Sequence, residues 1–291
     1  MICNLCPRNC NALRTDTKGG GLCGMPALPV AARAALHQWE EPPISGTRGS
    51  GTLFFSGCSL QCVFCQNEPI SHQGRGKAIT PEHLRALCFQ LIDQGAHNIN
   101  FVTPTHYTHV LLDVLREPLP VPVVWNTGGY EKLETLRALE GKVDIYLPDL
   151  KYLNADVAQR YSAAPDYPEV AAAAILEMFR QVGPVEYAAD GTLKKGVIIR
   201  HLVLPGQLSG AKDVMDWVAE HFEPGQVLFS LMSQYLPWGK AEQYPEINRR
   251  LRKGEARKAA EYMELLGLDG FVQEQSAASD QFIPDFDFTG L

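Results

Sequence analysis

Short apolar runs alternate with longer segments of helical periodicity along most of the chain. The runs are rich in β-branched and aromatic residues and nearly continuous in apolar side chains, which is typical of strands buried in a parallel sheet. Regular alternation of strand and helix predicts an α/β fold, a partial (β/α)6 barrel of the TIM type. The predicted strands are residues 51–56, 98–103, 121–127, 143–148, 197–204 and 227–232.

The segments that flank this barrel have a different composition. The N-terminal segment is rich in Cys and Pro and has too few apolar residues for a core of its own, so we expect a small module packed on the barrel. A charged helix is predicted after Glu246, and a tail with Phe282, Phe286 and Phe288 among aspartates is expected to dock on the protein. The expected parts are a Cys-rich metal-binding module at 1–49, the barrel at 50–245, and the helix and docking tail at 246–291.

Charge and hydropathy exclude several classes of partner. The 291 residues carry 26 Lys and Arg against 33 Asp and Glu, a net charge of -7, without a basic cluster that a nucleic acid or an anionic membrane would require. No apolar stretch approaches the ~20 residues that span a bilayer, and the start at Met1 lacks the pattern of an export signal. We therefore expect a soluble, cytoplasmic protein that binds neither nucleic acid nor membrane.

The cysteines indicate metal chemistry. In a reducing compartment thiols persist and bind metals, and Cys58, Cys62 and Cys65 follow the first predicted strand directly. Three thiolates within eight residues can bind three irons of a [4Fe-4S] cluster and leave the fourth iron open to another ligand. A zinc site completed by His72 is the alternative, which the spacing disfavours. Cys88 stands alone in an apolar helical run and is predicted to be a core residue.

A second group of cysteines lies at the N-terminus. Cys3, Cys6, Cys10 and Cys23 supply four thiolates and therefore a complete site without an open position. This composition is typical of zinc or of a second iron-sulfur cluster. A structural role is the simpler interpretation, and an auxiliary cluster that relays an electron or contacts substrate is the alternative.

The motif Cys58-x3-Cys62-x2-Cys65, with Phe64 before the last cysteine, resembles the signature of the radical S-adenosylmethionine (SAM) superfamily. The similarity extends over about residues 50–240. It is shared with the pyruvate formate-lyase activating enzyme and its relatives, and the N-terminal cysteines are similar to those of an uncharacterised branch of these homologues. The further segments that carry the resemblance are Cys65-Gln66-Asn67, Asp149-Leu150-Lys151, Arg200 and Pro205-Gly206.

This resemblance implies a [4Fe-4S] cluster and SAM as cofactors, with SAM bound to the open iron through its amine and carboxylate. It implies an oxidoreductase in which an electron from the reduced cluster cleaves SAM and the resulting 5'-deoxyadenosyl radical abstracts a hydrogen atom. In an activating enzyme this hydrogen comes from a glycine of a protein. A small reduced electron carrier of the flavodoxin or ferredoxin type is then a partner. The alternatives are radical SAM modification of another peptide or small molecule, and a non-catalytic iron-sulfur carrier or scaffold, which the open iron disfavours.

Ligands of parallel barrels bind at the C-terminal ends of the strands, so polar residues there are candidates for SAM binding. Family members often carry Gly-Gly-Glu after the second strand, whereas this chain has Thr103-Pro104-Thr105-His106, whose carbonyls and hydroxyls can accept from the amine. By resemblance Asp149 and Lys151 approach the sugar and the carboxylate of SAM, and a surface ion pair is the alternative. Arg200 lies in an apolar run and requires an anion, either SAM or a buried acid.

The remaining candidates also follow strands. Asn126 and Thr127 precede two glycines that permit close approach to a ligand, although a plain tight turn has the same pattern. Gln234 follows the sixth strand and can reach adenosine or serve as a polar rim residue. The predicted cofactor-binding residues are Phe64, Asn67, Thr103, Thr105, Asn126, Thr127, Asp149, Lys151, Arg200 and Gln234.

Overall fold

Parallel strands and the helices between them form most of the protein. A computed structural model describes residues 1–273 and 285–291. The strands of this part are β1 (Ile2–Cys3), β2 (Ala12–Leu13), β3 (Val30–His37), β4 (Ser50–Phe55), β5 (Lys77–Ala78), β6 (Ile99–Val102), β7 (Val123–Thr127), β8 (Ile145–Pro148), β9 (Glu186–Tyr187), β10 (Leu193–Leu202), β11 (Leu228–Met232) and β12 (Gly270–Gln273). The helices are α1 (Pro42–Ser45), α2 (Glu68–Ser71), α3 (Pro81–Asp93), α4 (Thr108–Val114), α5 (Leu133–Ala138), α6 (Ala155–Ser162), α7 (Tyr167–Val182), α8 (Leu208–His221) and α9 (Lys253–Leu265), with short 3-10 turns at Thr105–Tyr107 and Gly239–Gln243.

The main sheet contains all six predicted strands, as β4, β6, β7, β8, β10 and β11. Each pairs in parallel with the next in the order β4-β6-β7-β8-β10-β11. Helices connect the successive strands, as parallel pairing requires. The predicted α/β fold with a partial parallel barrel is confirmed.

Strands β3 and β12 are among the four further strands of this sheet, and neither was predicted. Strand β3, within the expected 1–49 module, pairs antiparallel with β4, and β12 pairs in parallel with β11. The sequence of β3 is dominated by small alanines, so it lacks the β-branched pattern of its neighbours. Its burial against β4 stabilises the strand instead, since Ala31 and Ala32 are fully buried. The division of the chain at residue 49 stays a prediction.

The outer face of the sheet packs against the helices. Helix α3 shows how the sequence builds this layer: Thr80 accepts a hydrogen bond from the His83 backbone N–H, and Pro81 occupies the first turn, where no donor is lost. Its apolar positions Leu84 and Cys88 are fully buried. Cys88 is a core residue, as its apolar surroundings predicted.

The inner face of the sheet is partly filled by the segment between β3 and β4. Ile44 of α1 is fully buried and belongs to an apolar cluster inside the barrel. Its neighbours in this cluster are Val124, Ile145, Leu147, Leu193, Ile198 and Leu228. A chain segment from outside the β/α units therefore closes part of the barrel interior.

The C-terminal residues lie against β3, as the docking prediction for the tail requires. Phe286 packs edge-on against Phe54 with ring centroids 5.6 Å apart, and the Phe288 backbone N–H donates to the carbonyl of Ala32. Phe282 lies outside the described residues. Within residues 1–273 and 285–291, no helix is both long and apolar enough to cross a membrane.

We expect Ile44→Ala to lower the free energy of unfolding by about 2–5 kcal/mol, because it leaves a cavity in a fully buried apolar cluster. Urea unfolding followed by circular dichroism measures this loss. Leu265→Ala is the matched control, since Leu265 is 78% exposed and its truncation should change the unfolding free energy little. Equal effects of the two substitutions would contradict the placement of Ile44 inside the barrel.

Candidate metal and cofactor site

The three-cysteine loop leaves the sheet directly after β4. Gly57 has φ 83°, a value that favours glycine, and a side chain there would overlap Met25 of the N-terminal segment, whose Cγ lies 2.2 Å from the ideal Cβ position. The loop then crosses toward α6, where the Val63 N–H donates to the Tyr161 carbonyl, and ends at α2. A glycine turn and contacts to two distant segments therefore fix the path of the loop.

Each sulfur of the loop has a hydrogen-bond partner. Cys58 Sγ accepts from the Leu60 N–H at 3.3 Å. Cys62 Sγ lies 3.0 Å from Ser162 Oγ, and Cys65 Sγ lies 3.2 Å from Ser71 Oγ. Hydrogen bonds of this kind stabilise sulfur ligands of iron-sulfur clusters and tune their reduction potential.

The chemistry of these thiols fits a cluster. All three are free of disulfides and are therefore available as ligands. Within residues 1–273 and 285–291, no three His, Cys, Asp or Glu side chains converge as ligands of one ion. Each cysteine of a cubane binds a different iron, so its ligands do not need to converge on one point. Cys58, Cys62 and Cys65 therefore suit a [4Fe-4S] cluster.

A buried network of charges follows the cysteine loop along the ends of the strands. Asp149 accepts from Lys151 Nζ at 2.5 Å and from Arg200 Nε at 2.9 Å. Arg200 also donates to Asn126 Oδ1 at 2.7 Å and lies 3.7 Å from Glu40. The structure thus brings four predicted cofactor-binding residues together: Asn126, Asp149, Lys151 and Arg200. The anionic partners that the sequence predicted for Arg200 include two carboxylates of the protein itself, those of Asp149 and Glu40.

The electrostatics of this network keep Asp149, Lys151 and Arg200 ionised. Burial alone would raise the pKa of Asp149, but the charges of Arg200 and Lys151 lower it below its usual value. Burial opposes the charge of Lys151, whose pKa is nevertheless raised by Asp149. The side chains of Lys151 and Asp149 keep 18% and 15% exposure, so the pair reaches the edge of an open site and is not a surface ion pair.

Glu40 and Glu41 enter the barrel beside Arg200 and were missed by the sequence analysis. Glu40 accepts from Asn126 and Asn100, and burial raises the pKa of both acids, to about 7 for Glu41. The buried Glu41 Oε2 and Asn100 Oδ1 have no hydrogen-bond partner among the described residues. The only sequence signal is an acidic pair followed by Pro42-Pro43, which also occurs in loops.

The threonines near the second and third barrel strands face a buried carboxylate. Thr105 and Thr127 donate to Glu131 Oε1 at 2.6 and 2.5 Å, so their hydroxyls are engaged by the protein. Thr103, at the end of β6, has φ 57°, an uncommon value for a β-branched residue and one that concentrates at functional sites. Among these residues Thr103 is the one with an uncommon backbone conformation.

The predicted glycine turn after β7 is also a close approach of two backbones. Gly129 has φ 79°, and a side chain there would lie 2.1 Å from the Asp149 carbonyl oxygen. Tyr167 bridges the same two turns by donating to the carbonyls of Gly128 and Asp149 at 2.9 and 2.7 Å. The turn and Tyr167 together hold the backbone of Asp149 in place. The sequence analysis did not reveal this role of Tyr167.

The other predicted residues surround the cysteine loop less directly. Phe64 is buried and packs edge-on against Tyr235 at 5.9 Å between ring centroids. Asn67 precedes α2 and accepts from the Ser71 N–H through its carbonyl. Gln234 donates to Gln273 of β12, and its Oε1 is buried without a partner among the described residues.

The N-terminal cysteines lie on the same side of the barrel as the cysteine loop. Cys3 lies in the β1–β2 hairpin, and Cys10 Sγ packs 2.5 Å from the ideal Cβ position of Gly21, near Cys23. Burial raises the pKa of Cys6 to about 11, and the charges of Cys23, Cys3 and Cys10 act in the same direction. The four cysteines therefore form one group in space.

Known proteins are similar to this chain in fold, and a family model matches part of its sequence. Residues 45–153 match the family described as a 4Fe-4S single cluster domain. Streptococcus suis SuiB, solved bound to S-adenosylmethionine, is similar in fold with a TM-score of 0.54 and 16% identity over 75% of this chain and 48% of SuiB. Methylornithine synthase (PylB) has a TM-score of 0.52 and 13% identity over 89% of this chain and 72% of that protein. The chain thus spans about half the length of SuiB.

The likeness to SuiB and PylB is one of fold, and the match to the 4Fe-4S single cluster domain covers the part of the barrel that carries the three-cysteine loop. An uncharacterized protein of Methanocaldococcus jannaschii, MJ0674, is 32% identical over 278 residues, which are 92% of this chain and 75% of that protein. The chain belongs to the same family as this archaeal protein.

We expect Glu131 to make stability depend on pH. Burial raises its pKa from 4.5 to about 7, so folding favours the protonated acid, and this contribution is complete below pH 4.5 and is lost as pH rises through 7. The loss is on the order of 3 kcal/mol. Thermal unfolding from pH 5 to 8 should show a smaller decline for Glu131→Gln than for the unmodified protein. Parallel profiles would contradict this assignment.

Proposed function

We propose that this protein is a radical SAM enzyme of the activating-enzyme type, with its cluster held by Cys58, Cys62 and Cys65. When bound, the reduced cluster supplies the electron that cleaves SAM to methionine and a 5'-deoxyadenosyl radical, which abstracts a hydrogen atom from the substrate. The observation that carries the proposal is the juxtaposition of the three-cysteine loop with the Lys151–Asp149–Arg200 network at the strand ends.

The polar groups around the loop have the chemistry that SAM requires. Lys151 lies close enough to the loop for the charge of Cys62 to raise its pKa, and it offers a cation for the SAM carboxylate. Asp149 offers an acceptor for the ribose hydroxyls, and the carbonyl at the strained Thr103 offers one for the amine. Asn126 and Arg200 orient this set from the barrel interior by hydrogen bonds. The protein thus binds and orients SAM, while the burial of the loop excludes water.

The activating-enzyme assignment, with a protein glycine as the hydrogen donor, rests on the resemblance in Asp149-Leu150-Lys151, Arg200 and Pro205-Gly206. SuiB, which shares the fold, has been solved bound to its precursor peptide SuiA. A small reduced electron carrier of the flavodoxin or ferredoxin type completes the proposed system.

Cys62→Ala should abolish SAM cleavage while leaving the barrel folded, because Cys62 lies on a loop outside the strands. After anaerobic reconstitution with iron and sulfide and reduction with dithionite, 5'-deoxyadenosine and methionine are measured by chromatography, and circular dichroism reports folding. Cys88→Ala is the matched control, since it removes a thiol remote from the loop and should retain cleavage. Cleavage that persists in Cys62→Ala would contradict the proposal.

Lys151→Met should weaken SAM binding more than tenfold, beyond the ~0–1 kcal/mol expected of an exposed ion pair. Asp149 keeps Arg200 as its partner in this variant, so the network stays neutralised. Equilibrium binding of SAM to the reconstituted protein gives the dissociation constant. Lys258→Met, on the exposed face of α9, is the control and should bind SAM as the unmodified protein does. An unchanged dissociation constant for Lys151→Met would place Lys151 outside the SAM site.

A further inference from the structure

A fully buried arginine without an acidic partner lies beside the N-terminal cysteines. Arg14 is 0% exposed, and in the described part of the chain it forms no ion pair with a carboxylate. Its guanidinium donates to the carbonyls of His106 and Pro26 at 2.6 and 2.5 Å and stacks on Tyr107. Arginine stays charged in proteins, and an unpaired buried charge is costly, so Arg14 requires a negative group nearby.

The groups that can supply this negative charge are thiols. Arg14 Nη1 donates to Cys3 Sγ at 3.3 Å, and the positive charge of Arg14 also acts on Cys23. The Nε of Arg14 is buried and has no partner among the described residues. Free thiols are neutral, whereas thiolates bound to a metal are anionic, and four of them exceed the charge of one divalent ion or one [4Fe-4S] core.

We propose that Cys3, Cys6, Cys10 and Cys23 bind a metal centre through four thiolates and that Arg14 is its buried counter-charge. The centre is a zinc ion or a fully ligated iron-sulfur cluster, both of which carry excess negative charge with four thiolates. The thiols do not converge in the described structure, but Cys10 is exposed and Cys6 and Cys23 are partly exposed, so their side chains rotate onto a metal without repacking a core.

This centre also supports the three-cysteine loop. Arg8, between Cys6 and Cys10, donates to the Ser59 carbonyl at 2.7 Å and to the Ala163 carbonyl at 2.6 Å. Ser59 follows Cys58 in the loop, and Ala163 ends α6 beside Ser162, whose hydroxyl contacts Cys62. A metal that fixes the Cys6–Cys10 turn therefore fixes the position of Arg8 against both sides of the loop.

The test uses a variant without the other cluster, Cys58→Ala/Cys62→Ala/Cys65→Ala, purified anaerobically and analysed for zinc, iron and sulfide. It should retain about one zinc, or about four iron and four sulfide, per chain. Addition of Cys6→Ala/Cys10→Ala should remove this metal, whereas addition of Cys88→Ala should not. Either metal supports the site and identifies its occupant. Absence of zinc and iron from the triple variant, or metal that persists after the added Cys6 and Cys10 substitutions, overturns it.

Two further measurements keep the result decisive if the variant with both groups removed fails to fold. X-ray absorption at the zinc or iron edge of the triple variant should show coordination by sulfur alone, and nitrogen or oxygen ligands would overturn the tetrathiolate. Added to the triple variant, Arg14→Gln should make it release the metal to a chelator at least tenfold faster than the triple variant alone, and Arg14→Lys, which keeps the charge, should restore much of the retention. Equal release rates would overturn the role of Arg14. Because these variants lack the other cluster, failure of the proposed SAM chemistry would not alter this result.

Discussion

The charge balance around Asp149 is the interaction on which the rest of the site depends. Its two oxygens are shared between Lys151, which borders the cysteine loop, and Arg200, which extends into the barrel. Loss of this carboxylate would leave two buried cations with Glu40 as the nearest acid, at 3.7 Å from Arg200. The close turn at Gly129 and the hydroxyl of Tyr167 contact the backbone carbonyl of Asp149 and so fix the backbone that carries this carboxylate. The contacts that stabilise the fold at the end of β8 therefore also position the charged residues of the site.

Local patterns in the sequence predicted the parts of the molecule that depend on local chemistry. The buried strands, the three-cysteine loop and Asp149, Lys151 and Arg200 all carry their signal within a few residues. Strand β3 and the entry of Glu40 and Glu41 into the barrel depend on contacts with residues far along the chain, so their sequences contain little signal. Thr105 and Thr127 were predicted from local sequence to bind the cofactor, but their hydroxyls donate to the buried carboxylate of Glu131. Local sequence does not reveal such a partner.

The N-terminal segment is coupled to the barrel by charge as well as by packing. Arg8 links the Cys6–Cys10 turn to the carbonyls beside Cys58 and Cys62, and Arg14 links the hairpin to the loop after β6. Met25 fills the space under Gly57, where the cysteine loop begins. These contacts make the geometry of one cysteine group depend on the other, and they explain why a segment with so little apolar surface has a defined position.

The most direct test of the account is electron paramagnetic resonance of the reconstituted, reduced protein before and after addition of SAM. An iron with an open position, as three cysteine ligands imply, binds SAM directly, so the account predicts that the signal of the reduced Cys58–Cys62–Cys65 cluster changes when SAM is added. Comparison with the Cys58→Ala/Cys62→Ala/Cys65→Ala protein assigns the signal. A reduced cluster whose signal is identical with and without saturating SAM would contradict the central claim.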